Sequence, residues 1–389
     1  MNVPKLRFKE FNDEYKAYKF NDVAKLYRGG SPRPIVNFIT KSEDSVNWIK
    51  IGDVSPNETY IKSTSEKITK EGAKKSRKVY KGEIILSNSM SFGRPYILNL
   101  DGCIHDGWFV VRDYEKLLNK EYLYHFMSSP LIQKQYKTLS AGGVVSNISS
   151  ELVYSVKLNI PLKEEQLKVA NFLSLLDKKI ELQSKKIEDL KLFKKGLNKF
   201  IFSNCTDEYK VENLIIEYND KTTENNQYKV LSSTANGIIF QNEYFNKRAA
   251  SNNNTGYKII PKGLITYRSM SDTGEFHFNI QDITDIGIVS PAYPVFNIKK
   301  NLVNKTYFVY YINENGSFKN KILSTKEGGT RYALSITKFK TIYILLPKME
   351  EQIKYSKYIN VIINKIQIEE KKLEKLVQFK KGLMQNMFV

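Results

Sequence analysis

Residues 161–202 read PLKEEQLKVANFLSLLDKKIELQSKKIEDLKLFKKGLNKFIF, and residues 347–388 read PKMEEQIKYSKYINVIINKIQIEEKKLEKLVQFKKGLMQNMF. The two stretches align without a gap at an offset of 186 residues (347 − 161), with 17 of 42 positions identical. Upstream, SAGGVVSNIS at Ser140 aligns with KEGGTRYALS at Lys326 at the same offset. The chain is therefore predicted to be an internal tandem duplication of a globular domain followed by a long helix. The predicted boundaries are 1–160, 161–203, 204–346 and 347–389.

Both stretches carry apolar residues in alternating steps of three and four, which predicts an amphipathic helix with a heptad seam. The predicted seam contains Leu173, Leu176, Ile180, Ile187, Leu190 and Leu197 in the first helix and Ile359, Ile362, Ile366, Leu373, Leu376 and Leu383 in the second. Pairing of the two helices as an antiparallel coiled coil would bury both seams. The alternative is that each helix packs only on its own domain.

The seam is polar at equivalent places, namely Gln183, Lys194, Glu369 and Lys380. Buried polar residues of this kind fix the register of coiled coils. Gly196 and Gly382 each cost about 1 kcal/mol in a helix interior. They mark either fraying helix ends or a close approach of another backbone, and the sequence does not distinguish these.

The globular parts contain short apolar runs separated by Gly, Asn, Pro and Ser, which indicates strands. Typical runs are VYKGEIILS, CIHDGWFVV, GLITYRS and TIYILLP, and short helices are expected at NKEYLYHFMSS and NKTYFVYYINE. We therefore predict α+β domains. No apolar run or N-terminal segment suggests a membrane span or a signal peptide, and only two cysteines are present, so a cytoplasmic location is expected.

The 61 Lys and Arg against 41 Asp and Glu give a formal net charge of +20, which favours a polyanionic partner over a merely basic protein. Polar loops carry the residue types that contact DNA bases and phosphates. The candidate DNA-binding residues in the first domain are Arg28, Arg33, Lys74, Lys75, Arg77, Asn88, Ser89 and Arg94. Those in the second domain are Arg248, Asn252, Tyr267, Arg268, Ser269, Arg331 and Tyr332.

Catalytic motifs are absent from the sequence. It has no GxxxxGKS/T, GxGxxG or HExxH motif, and its three His and two Cys are too scattered for a zinc site. The pair His105-Asp106 beside Trp108 is interpreted as a packed strand edge rather than a catalytic dyad. No catalytic residue and no metal ligand is therefore predicted.

The arrangement of domain, helix, domain and helix resembles the specificity subunit of type I restriction–modification systems. The resemblance covers essentially the whole chain, and IPLKEEQ with LPKMEEQ and FKKGLNKFIF with FKKGLMQNMF carry it most strongly. KLRFKEF and SNSMSFGRPYIL are also similar to segments of that family.

The resemblance implies two target-recognition domains that each read one half of a split, asymmetric duplex DNA sequence. It implies that the helices set the spacing and dock two modification subunits, with restriction subunits joining them. S-adenosylmethionine, ATP and magnesium would be bound by those partner subunits and not by this chain. The alternatives are a stand-alone nuclease or methyltransferase with an unrecognised active site, and a coiled-coil interaction protein without a DNA role.

Overall fold

Two long helices organise the chain. The computed structural model describes residues 3–54, 58–88, 93–140, 148–241, 253–324 and 332–389. The first long helix spans Lys163–Ser203 and the second Met349–Met387, with 41 and 39 residues. Each begins two residues after a proline and carries two glutamates in its first turn, where the positive end of the helix dipole stabilises them. The long helices predicted from the repeat are therefore confirmed.

The chain divides into two compact units, and each unit contains part of both long helices. The first unit comprises Met1–Lys185 with Glu370–Val389, and the second comprises Lys186–Glu369. Each unit is thus a globular domain packed on the beginning of one long helix and the end of the other. The domain boundaries given in the sequence analysis stay a prediction.

The first unit contains two five-stranded sheets. One has the order Ile39–Thr40, Glu66–Ile68, Val46–Ile49, Gly102–Ile104 and Arg77–Val79. The other has the order Lys25–Arg28, Trp108–Arg112, Ile84–Ser87, Pro95–Leu98 and Tyr60–Ile61. Lys16–Lys19 pairs separately with Lys157–Ile160. The helices of this domain are Phe20–Val23, Lys70–Lys74, Lys120–Ser128, Pro130–Ser140 and Ser150–Tyr154, with 3-10 turns at Ile35–Asn37 and Ile51–Asp53.

The strand Ile84–Ser87 is apolar throughout because it is covered on both faces. Ile85 packs with Val110 and Trp108 in a core between the two sheets. Ile84 and Leu86 face the other way, into a core shared with the domain helices and the long helices. Successive side chains of a strand point to opposite faces, so a strand between two cores reads as a continuous apolar run.

The second unit has a four-stranded sheet in the order Ile215–Glu217, Val295–Ile298, Ile265–Thr266 and Asn279–Ile280. In the residues of this unit that the structure describes, four antiparallel pairs accompany it: Asp207–Lys210 with Tyr343–Leu346, Leu231–Thr234 with Gly237–Phe240, Lys258–Pro261 with Ile286–Val289, and Met270–Ser271 with Tyr332–Ala333. Its domain helices are Val211–Leu214, Lys305–Glu314, Gly316–Ser324 and Ile336–Thr341. The predicted α+β class and the predicted short helices are confirmed in both units.

All twelve predicted seam residues are buried or half-buried. In the first unit Leu173 and Leu383 share one core, and Lys380 forms an ion pair with Asp177. In the second unit Leu197 and Ile359 share a core, and Lys186 Nζ lies 3.0 Å from Glu369 Oε1. Within each unit the start of one helix therefore packs against the end of the other, and both also pack on the domain. A continuous coiled coil stays a prediction.

Candidate nucleic-acid interface

A turn at Asp106 holds two polar loops together in the first unit. The Ser31 hydroxyl donates to Asp106 Oδ1 at 2.9 Å, and Arg33 Nη2 lies 3.7 Å from Asp106 Oδ2. The backbone carbonyl of Asp106 accepts hydrogen bonds from Arg28 Nε at 3.3 Å and from Asn88 Nδ2 at 2.9 Å. Loops that are far apart in the sequence thus meet at one acidic residue.

Gly29 permits this close packing. A Cβ atom at Gly29 would lie 2.1 Å from the carbonyl oxygen of His105, which is far inside van der Waals contact. The N–H of Gly29 donates to Trp108 O, and the N–H of Gly30 donates to Ile104 O. Ser76 Oγ donates to the Gly30 carbonyl at 2.6 Å and so attaches the loop that follows the helix Lys70–Lys74. The sequence YRGGSPRP therefore needs glycine at this position for steric reasons.

A basic groove of about 430 Å³ opens beside this turn and is lined by Lys74, Ser76, Arg77, Lys78, Tyr80 and Arg112. The guanidinium groups of Arg77 and Arg112 lie 5.6 and 5.8 Å from the Tyr27 ring centroid. Arg112 Nε donates to Glu83 Oε1 at 2.6 Å, and this hydrogen bond raises the pKa of Arg112. Arginines held against an aromatic ring present fixed donors, which suits phosphate or base contacts.

The structure brings most of the predicted residues of the first domain to one region. Arg28, Arg33, Lys74, Lys75 and Arg77 are exposed, and Arg94 is half-buried against Tyr96, with its guanidinium carbon 5.7 Å from the ring centroid. Ser89 lies outside the described residues. These side chains stay predicted DNA contacts.

Asn88 requires a correction, because it is 4% exposed and its amide donates to the Asp106 carbonyl. It follows a buried strand, so its side chain is directed into the fold. Asn88 thus positions the turn at Asp106 instead of facing a ligand.

In the second unit, two of the predicted loops are joined by a short strand pair. Leu334 N–H donates to Ser269 O at 2.8 Å, and Met270–Ser271 pairs with Tyr332–Ala333. Arg268 is exposed and Tyr332 is half-buried. Arg248, Asn252 and Arg331 lie outside the described residues.

Tyr267 also requires a correction. It is fully buried, and its hydroxyl donates to the Leu334 carbonyl at 3.0 Å. Its ring packs against Phe278, with centroids 4.4 Å apart. Burial raises the pKa of Tyr267 well above its ordinary value. Tyr267 therefore anchors the loop from inside the domain.

Lys78, Tyr80 and Arg112 were not among the residues predicted from the sequence, and Asp106 was predicted only as part of a packed strand edge. Lys78 stands in the quoted basic loop EGAKKSRK, so its charge was a usable signal. Arg112 ends an apolar strand, and only the pairing of that strand with Lys25–Arg28 brings it to Tyr27. The sequence indicated a packed strand edge at His105-Asp106, but no local pattern showed that loops from distant segments meet at Asp106.

Within the described residues, no group of His, Cys, Asp and Glu side chains is arranged to hold a metal ion. No helix in the described part of the chain is long and apolar enough to cross a bilayer.

The chain thus contains two duplicated domains with basic polar loops, and each domain is packed on parts of both long helices. The sequence matches the family described as type I restriction modification DNA specificity domain twice, at residues 12–192 and 208–378. The chain therefore belongs to this family, whose members are the specificity subunits of type I restriction–modification systems and not their catalytic subunits. Such subunits assemble with DNA and with the other subunits of the system.

Similar proteins agree with this membership. The chain is 21% identical over 408 residues to the type I restriction enzyme MjaVIII specificity subunit of Methanocaldococcus jannaschii, covering 96% of this chain and 91% of that protein. It is 24% identical over 180 residues to the MjaIX specificity subunit of the same organism, covering 46% and 41%.

Solved structures share the fold. The type I restriction–modification S subunit from M. genitalium superposes with a TM-score of 0.60 at 15% identity, covering 100% of this chain and 99% of that one. A chain from a study of assembly and conformational transition of the type I system gives a TM-score of 0.55 at 15% identity, covering 96% and 97%.

Proposed function

We propose that each unit reads one half of a split, asymmetric duplex DNA target. The observation that carries this proposal is the contrast between nearly repeated helices and dissimilar polar loops on the two domains. The first unit presents the basic groove beside Asp106, whereas the second presents Arg268 next to the pair Met270–Ser271 and Tyr332–Ala333. Different loops read different bases, so the two half-sites should differ.

The long helices would set the distance between the half-sites. A helix rises about 1.5 Å per residue, so removing seven residues shortens it by about 10 Å without rotating the seam much. Deleting residues 181–187 together with residues 367–373 should change the spacer and leave both half-sites unchanged. An unchanged spacer would rule out this measuring role.

The proposed partners are two modification subunits, with restriction subunits joining the assembly. S-adenosylmethionine would be bound by the modification subunits, and ATP and magnesium by partner subunits rather than by this chain. A cytoplasmic location, where DNA and these subunits occur, stays a prediction.

Single-molecule sequencing of N6-methyladenine in the host tests the proposal directly. With this gene deleted, methylation should disappear at one split motif and stay at all others. Replacing residues 1–160 by another recognition domain should change one half-site only. A methylation map that is unaffected by deletion, in cells that express the chain and its modification subunit, would overturn the proposal.

A further inference from the structure

Two arginines of the first unit contact the same tyrosine ring. The guanidinium carbons of Arg77 and Arg112 lie 5.6 and 5.8 Å from the centroid of the Tyr27 ring. The ring itself is held in place, because the Tyr27 hydroxyl donates to Asp113 Oδ2 at 2.9 Å. A guanidinium group that lies over a fixed ring loses much of its freedom, so both arginines are restrained.

The donors of Arg112 are bound within the protein. Its Nε donates to Glu83 Oε1 at 2.6 Å, and its Nη2 donates to Glu83 Oε2 at 3.2 Å and to the Lys78 carbonyl at 3.0 Å. Arg112 is also half-buried. It therefore supports the basic groove from within, and its paired donors are occupied by Glu83.

Arg77 is restrained in a different way. It is exposed, and its Nε donates to the Arg28 carbonyl at 3.2 Å. That carbonyl is fixed in turn, since Arg28 ends the strand Lys25–Arg28 and its own Nε donates to the Asp106 carbonyl at 3.3 Å. In the part of the chain that the structure describes, no protein group accepts a hydrogen bond from Nη1 or Nη2 of Arg77. One ring and one carbonyl thus hold the guanidinium group, and its two outer nitrogens stay available to a ligand.

The place of Arg77 in the fold gives a large ligand access to it. Arg77 begins the edge strand Arg77–Val79 of one sheet, and Lys25–Arg28 is an edge strand of the other sheet. Three neighbouring lysines are exposed as well: Lys74, Lys75 and Lys78. Mobile lysines neutralise phosphates without distinguishing bases, so they contribute affinity and no selection.

The second unit has no equivalent of this arginine. RKVYKG at residues 77–82 aligns with KIIPKG at residues 258–263, and both final glycines, Gly82 and Gly263, adopt a left-handed backbone with φ of 91° and 85°. The counterpart of Arg77 is therefore Lys258, which is half-buried and whose pKa is lowered by burial. A lysine has no pair of coplanar donors, so the arrangement occurs in one unit only.

We propose that Arg77 selects a guanine in the DNA half-site of the first unit, by donating hydrogen bonds from Nη1 and Nη2 to guanine O6 and N7. The inference rests on the proposed function, because it requires the first unit to contact a duplex in its major groove. The paired acceptors of guanine match the two outer donors of an arginine. The restraint on Arg77 favours a base over a phosphate, since part of the entropy cost of ordering a long side chain is met before DNA binds.

Binding of short duplexes by the co-expressed complex of this chain and its modification subunit tests the inference. The duplexes carry the split motif given by the methylation map, with each base pair of the first half-site replaced in turn by the other three. The unaltered chain should have a G·C pair in this half-site at which replacement weakens binding about 5-fold to 150-fold. Arg77→Lys should reduce that ratio to below about threefold at this one position, because lysine keeps the charge and lacks the paired donors. Discrimination at the second half-site should stay unchanged, which shows that the variant is folded and assembled.

Lys78→Ala is the matched control, since Lys78 is the exposed neighbour of Arg77 on the same strand. It should weaken binding to all the duplexes equally and lower the slope of log affinity against log salt concentration by about 0.9. Unchanged base discrimination by Arg77→Lys, or a first half-site without a G·C pair, would overturn the inference.

Two further outcomes would also overturn the inference. Uniform weakening by Arg77→Ala with a smaller salt slope would assign Arg77 to a phosphate contact. Loss of all DNA binding by Arg77→Lys would assign it a role in maintaining the fold. Each of these results leaves the proposed function intact, whereas a methylation map that is unaffected by deletion of the gene would overturn the proposed function itself.

Discussion

The joints between helix and domain are nearly the same in the two units. In the first unit Gln166 Oε1 accepts the N–H of Asn119 at 2.8 Å, and in the second Gln352 Oε1 accepts the N–H of Asn304 at 2.9 Å. Each glutamine also donates to the carbonyl of the proline before its helix, Pro161 or Pro347, at 2.9 Å. Asn119 and Asn304 in turn cap the helices Lys120–Ser128 and Lys305–Glu314. One buried amide thus fixes helix, preceding strand and domain to one another.

Other contacts of the same helices have diverged. Glu165, next to Gln166, is buried and accepts hydrogen bonds from Arg7 Nε and from the Tyr15 hydroxyl, both at 2.8 Å. Its counterpart Glu351 is half-buried and accepts from the Tyr355 hydroxyl of its own helix at 3.5 Å. The comparison teaches that the attachment of helix to domain has been kept, whereas the residues around it follow the domain that each helix carries.

Removing the buried glutamine amide that joins helix and domain should have the largest effect on the free energy of unfolding. Gln166→Ala leaves the Asn119 N–H and the carbonyls of Leu117 and Pro161 without the partners they have now. We expect the free energy of unfolding to fall by about 3 kcal/mol, because unsatisfied buried groups are costly. Gln352→Ala should cost a similar amount in the second unit. Urea unfolding measures both, and the exposed Gln378→Ala is the control, with an expected change below about 0.5 kcal/mol.

If Gln166→Ala and Gln352→Ala differ by more than about 2 kcal/mol, the two joints are not energetically equivalent. The first unit can be followed alone, because both tryptophans of the chain, Trp48 and Trp108, lie in it.

A pH dependence should distinguish the units next. His125 is 1% exposed, its Nε2 lies 3.1 Å from Ser174 Oγ, and the equivalent position in the second unit is Tyr310. Burial, with a smaller contribution from Lys380, lowers the pKa of His125 from 6.5 to about 3. The histidine of the unfolded chain binds a proton at a pH at which the buried His125 stays neutral. The free energy of unfolding therefore falls as the pH drops below the pKa of the unfolded histidine. We expect a loss of about 2 kcal/mol between pH 7 and pH 5.

Urea unfolding followed by tryptophan fluorescence at the two pH values measures this loss of stability. The substitution His125→Gln should abolish most of it. Asp177 faces the same histidine, with Oδ2 3.8 Å from Nδ1, and burial raises the pKa of its carboxyl. That shift acts in the opposite sense, since a raised carboxyl pKa favours folding as the pH falls. An equal slope in His125→Gln would assign the pH dependence to other groups.

The smallest expected difference in stability between the units concerns two lysines at the same heptad position. Lys380 is paired with Asp177, and the side chains are 19% and 21% exposed. Lys194 is paired with Glu314 of the domain, and these side chains are 23% and 36% exposed. Lys380→Met should lower the free energy of unfolding by about 1.5 kcal/mol, because it leaves the largely buried carboxylate of Asp177 without its ion-pair partner. Lys194→Met should lower it by less than about 1 kcal/mol.

Urea unfolding of the two single variants gives the comparison. Adding Asp177→Leu to Lys380→Met should recover most of the loss, since an apolar pair replaces a buried ion pair at little cost. Failure to recover it would mean that Lys380 acts through packing of its aliphatic stem and not through its charge.

The repeat predicted much of the architecture from the sequence. Heptad spacing found both long helices and their buried faces, because a helix repeats its environment every three to four residues wherever it packs. Short apolar runs found strands such as Ile84–Ser87 for the same kind of reason. The order of strands in the sheets had no such signal, since pairing partners are set by contacts between distant segments.

The candidate site was only partly predictable. Charge and loop composition identified Arg28, Arg33 and Arg77, which the fold brings to one surface. The same reasoning selected Asn88 and Tyr267, which are buried. Their burial depends on the direction in which the backbone leaves the end of a strand. It predicted Asp106 only as part of a packed strand edge, and the role of Asp106 exists only because two distant loops meet there.

The sequence by itself determined the duplication, the long helices, the α+β domains and the basic character of the chain, because each follows from local periodicity or from composition. Only the tertiary structure decided how the chain divides: each unit takes the beginning of one long helix and the end of the other. It also decided that Gln166 and Gln352, which read as part of a helix start, are the buried joints between helix and domain. Such roles depend on partners far away in the chain, and a local pattern does not contain them.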